Sequence, residues 1–135
     1  MVKLVLPSLP HFYPPSENAR ALATFAATCA DKATEAMADG REDDAQAFAR
    51  GASDAAKLAS AFALEANNEW ATLAEDWHLA DDAGNASAPR LRKVADAAEI
   101  EAQSTRDSAQ AARRYAVAAA FSAAPFAPMA EGGAK

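Results

Sequence analysis

The chain has 135 residues, more than a quarter of them alanine, and a formal charge of −6. That length supports a single domain. An acidic balance excludes nonspecific binding to nucleic acid or to an anionic membrane, because both need clustered lysine and arginine.

Residues 1–15 read as an extended, proline-rich apolar arm. Four prolines forbid a helix, while Phe12, Tyr13 and the leucines are too apolar for a free tail. Its apolar runs are too short and too broken for a signal peptide. Helix 1 is expected to start at Ser16 as N-cap, with Glu17 in the first turn, where the dipole favours an acid. Its apolar face is Leu22, Phe25, Ala26, Cys29, Ala33 and Met37, and Gly40 supplies the stop. Cys29 stands alone, so no intrachain disulfide forms, which fits a cytoplasmic protein.

Helix 2 is expected from Glu42 to about Asp82, with Asp39 and Glu42 at capping-box spacing. Its apolar seam is Phe48, Ala52, Ala55, Ala59, Phe62, Ala66, Trp70, Leu73 and Trp77. Steps of three and four, with one stutter near Phe62, are those of a long coiled-coil-like helix. The stretch 81–87 is a turn. Ser87 should cap helix 3, with Pro89 tolerated in its first turn, and the helix should run to Ala124 before Pro125 ends it. Residues 125–135 form a short tail carrying Phe126 and Met129.

These elements predict an all-α, three-helix antiparallel bundle over residues 16–124, built from a long helix 2–helix 3 hairpin and a shorter helix 1. Around the second turn, paired residue numbers should sum to about 171. Trp77 is then placed near Val94 and Phe62 near Ala109. The acids Asp76, Asp81 and Asp82 should face the bases Arg90, Arg92 and Lys93, offsetting unfavourable dipole positions on both sides.

Helix 1, about 36 Å long, cannot cover a hairpin of roughly 60 Å. Covering is expected to stop near Leu64 and Thr105, leaving Trp70, Leu73, Trp77, Leu91, Val94 and Ile100 as a candidate contact surface. Three coverings fit it. The arm, with Phe12 and Tyr13 as anchors, reaches about 50 Å when extended. A second copy across a two-fold axis is another, and a different protein the third.

Glu75-x-x-His78 alone carries a chemical mechanism. On a helix the two share a face, and the motif is half of the di-iron carboxylate site of ferritin-like bundles. No second Glu-x-x-His occurs, so such a site needs a symmetric dimer, with Glu99 or Asp96 within reach. The simpler reading is a surface pair. His11 in the arm and His78 are too far apart in the chain to suggest a nucleophile–base arrangement. Arg113-Arg114 beside Tyr115 has the chemistry to hold a phosphate or carboxylate, and reads as a solvated helix face. No cofactor is implied. No segment is long and apolar enough to span a membrane.

The expected function is therefore that of a non-enzymatic assembly or adaptor subunit, contacting protein partners or its own copies through the Trp70–Trp77 half. The alternative is a small acidic inhibitor of the immunity or anti-defence type, blocking a basic surface with Glu65, Glu69, Asp76 and Asp81. A di-metal carboxylate site across a dimer comes third.

Overall fold

The computed structural model describes Leu6 and residues 14–124. Three helices follow in order: α1 (Pro15–Ala38), α2 (Glu42–Asp82) and α3 (Ala88–Ala123). They form an antiparallel three-helix bundle in which each helix packs on both others. Among the described residues no helix is long and apolar enough to cross a membrane.

Both connections are short because each preceding helix ends on a left-handed glycine. At the first, Gly40 has φ 75 and Gly84 at the second has φ 67. Gly40 N–H donates to Met37 O and Arg41 N–H to Ala36 O, at 3.1 and 2.7 Å. Gly84 and Asn85 donate in the same pattern to Asp81 O and Ala80 O, at 3.0 and 2.9 Å. Each set is a Schellman closure, which satisfies the last carbonyls and turns the chain sharply.

The helix starts depart from the sequence expectation. Pro14, not Ser16, is the N-cap of α1, and Pro15 opens the helix with its φ already set. Asp39 closes α1 instead of capping α2, whose N-cap is Arg41. Arg41 draws both Asp39 and Asp44 to its guanidinium, at 3.3 and 3.0 Å, so the capping-box geometry is not made. Ser87 is the N-cap residue of α3 as expected, but its hydroxyl donates to Asn85 Oδ1 rather than accepting from the helix.

The core is made of small residues. Every buried residue of α3 is alanine except Thr105, and in α2 only Phe48 and Gly51 depart from alanine. Helices meeting through methyl groups approach closely, and the larger buried volume falls to a few residues, chiefly Leu22 and Phe48. The main cluster lies where all three helices overlap, and Leu6 packs against it. Ala66, Ala88, Ala95 and Ala102 are buried outside that cluster, toward the second turn of the hairpin.

The hairpin register agrees with the expected pairing to within about two residues. Arg106 Nη1 donates to Asn67 Oδ1 at 2.8 Å and Arg113 Nη1 to Ser60 Oγ at 3.0 Å. α1 lies alongside α3, with Thr34 and Ser122 hydroxyls 3.0 Å apart near one end. At the other end the Ser16 N–H and Oγ–H both donate to the Glu101 carboxylate, each at 2.8 Å. α1 therefore reaches Glu101, about one helical turn beyond the expected limit at Thr105.

Candidate functional site

The Ser16–Glu101 latch marks where three-helix packing stops. Ser16 is 6% exposed, and Glu101 sits at the positive end of the α1 dipole, where an acid is favoured. Two residues on from Ser16, Asn18 is also buried, and its Oδ1 has no hydrogen-bond partner among the described residues. Beyond the latch the hairpin continues alone for about 10 residues of α2, roughly 15 Å.

Along that stretch Leu73, Trp77 and Leu91 are half-buried and Val94 is 44% exposed, while Trp70, also half-buried, lies about level with the latch. They lie over the buried alanines Ala88 and Ala95. Two helices with alanine between them cannot enclose an indole, so each tryptophan keeps an edge in solvent. Trp77 finds partial cover locally. The Arg92 guanidinium lies 5.3 Å from its ring centroid, and the His78 ring is 4.3 Å away. Such a cation–π contact at a half-exposed ring contributes about 0.5–1 kcal/mol.

Ile100 does not join this group. Two residues from buried Ala102, it falls on the far side of α3 and is 72% exposed. Leu79, 61% exposed on α2, was not anticipated. Its position off the apolar seam gave no periodic signal. Phe12 and Tyr13 lie outside the described residues, so the fold-back of the arm onto the tryptophans does too. The single described arm residue before Pro14, Leu6, sits on the three-helix core instead.

The charges of this half do not pair as expected. Asp81, Arg92 and Lys93 line one surface groove with Trp77. Yet Arg92 pairs with Asp96 of its own helix at 3.9 Å, and no ion pair crosses the hairpin among the described residues. The reason is geometric: Arg92 is held over the Trp77 face, one turn from its intrahelical acid. Glu65, Glu69, Glu75 and Asp76 are exposed. Glu75 and His78 are both exposed, and no group of three or more metal-ligating side chains occurs among the described residues. Cys29 is buried beside Phe25 and Phe48 in the α1–α2 crevice, where burial pushes its thiol pKa up and Lys32 offsets part of the rise.

Comparison with protein-family models, with curated proteins and with solved structures finds no match.

Proposed function

We propose that this protein is a non-enzymatic helical interaction subunit whose contact face is the free half of the α2–α3 hairpin. The observation that supports this reading is the stop of α1 at the Ser16–Glu101 latch, with Leu73, Trp77, Leu91 and Val94 left partly open beyond it. A contiguous row of partly open apolar side chains is a usual mark of a contact site, and tryptophan is the residue most enriched among interface hot spots. The partner is a second copy, as in an assembly subunit, or another protein, as in an adaptor. About 15 Å of hairpin gives a contact of the small, reversible kind.

A second reading has its own support. No lysine or arginine lies between Lys57 and Arg90, while that stretch carries Glu65, Glu69, Glu75, Asp76, Asp81 and Asp82. An acidic inhibitor acting on a basic surface would use this side of α2, and its binding would weaken steeply with salt.

One experiment addresses both. A photocrosslinking residue is placed at Leu73 or Val94, with exposed Asp54 as the control position, in the cells that make the protein. Adducts are expected at positions 73 and 94 and not at 54. An adduct of twice the chain mass identifies self-assembly; loss of adducts from lysate adjusted to 1 M salt before irradiation identifies the acidic inhibitor. Equal labelling at all three positions, or none at any, would contradict the proposal.

A further inference from the structure

On the hairpin, a groove of about 440 Å³ is lined by α2 and α3 alone. Its walls are Ser53, Lys57 and Ser60 of α2 with Arg113 of α3, and Ala56, Ala116 and Val117 make the apolar part. The spacing 53, 57, 60 puts two hydroxyls and an ammonium on one helix face, opposite the guanidinium. No carboxylate lines the groove.

The electrostatics are unusual for a chain of net charge −6. Neither Lys57 nor Arg113 is in an ion pair among the described residues. Arg113 spends one N–H on the neutral Ser60 hydroxyl at 3.0 Å, which orients the guanidinium without neutralising it. Its other donors remain in a planar fork suited to a carboxylate or a phosphate. An oriented guanidinium and a lysine beside an apolar floor make a site for an anion that brings its own apolar body. The groove is open along its length, so a ligand would lie on it with one side in solvent.

We infer that the Lys57–Arg113 groove binds a small anionic amphiphile: a carboxylate or phosphate monoester carrying a short alkyl or aryl chain. The headgroup lies between Lys57 and Arg113, with Ser53 and Ser60 as further donors. The chain lies on Ala56, Ala116 and Val117. The inference is independent of the contact face at the other end of the hairpin, since none of these residues belongs to it.

The test uses the full chain and three probes of equal length: octanoate, octyl phosphate and octanol. Backbone amide shifts in NMR titrations report both affinity and place. The two anions are expected to perturb residues 53–60 and 113–117 and to bind about tenfold more tightly than octanol. The double substitution Lys57→Gln, Arg113→Gln is expected to remove that preference while leaving helical circular dichroism unchanged, because both side chains are exposed. Whichever anion binds more tightly identifies the headgroup class. Equal affinity for octanol, shifts centred elsewhere, or an unchanged preference in the double variant would overturn the inference.

Discussion

Leu22→Ala is expected to lower unfolding free energy by about 3 kcal/mol, within the range for fully buried leucines. Leu22 is 0% exposed and heads the fully buried side chains by volume. The removed atoms lose their transfer free energy, and the hole left behind adds a further cost that depends on how far neighbours collapse. Here much of the surround has little to collapse with. Many of the α2 and α3 residues in this core are alanines such as Ala52, Ala55, Ala109 and Ala112, whose methyl groups have no rotamers to change, while Leu58 and Phe62 pack against the same cluster and can close part of the gap. A large share of the cavity term should therefore appear. Urea denaturation would read it as a lower midpoint with an unchanged slope. A loss under about 1 kcal/mol would mean that the helices shift to close the gap and that the alanine bed is not rigid.

The second large effect is expected at Glu101. Glu101→Ala removes the acceptor of both Ser16 bonds and leaves a buried N–H and hydroxyl without partners, at a cost of about 2 kcal/mol. It also withdraws a negative charge from the α1 N-terminus. Glu101→Gln keeps an acceptor oxygen and loses only the charge-assisted part, so roughly half the effect should remain. Hydrogen exchange separates this from general destabilisation: the first turn of α1 should exchange faster in the alanine variant, while the middle of α2 changes only by the global amount. Uniform acceleration through all three helices would show that the latch does not hold one end of α1.

Much of the architecture was legible in the sequence because it rests on local rules. Gly40 and the stretch around Gly84 mark the turns, and the alternating steps of three and four from Phe48 to Trp77 mark the seam of α2. The register followed from turn position alone. What was not legible depends on contacts between distant residues. Ser16 has the composition of an N-cap, but Glu101, 85 residues away, takes its hydroxyl and moves the cap to Pro14. Asp39 has capping-box spacing, but Arg41 competes for it at 3.3 Å. Arg92 was expected opposite acids across the hairpin; the indole of Trp77 provides a wider surface to lie on and Asp96 a nearer charge. Ile100 was grouped with the tryptophans on hydrophobicity, and the helical angle from Ala102 puts it on the opposite side. The Lys57–Arg113 groove was half visible as the Arg113-Arg114 pair, but its second cation comes from another helix and is brought in by the register.

The proposed contact face depends on the tryptophans being left open by the rest of their own chain. Trp70 and Trp77 are the only two indoles, so acrylamide quenching of the monomer reads them without labels. Quenching between that of free tryptophan and that of an enclosed indole is predicted, and deletion of residues 1–13 should leave it unchanged. Strong shielding in the full chain that disappears on deletion would contradict the claim, because the arm would then be the cover and no face would remain for a partner.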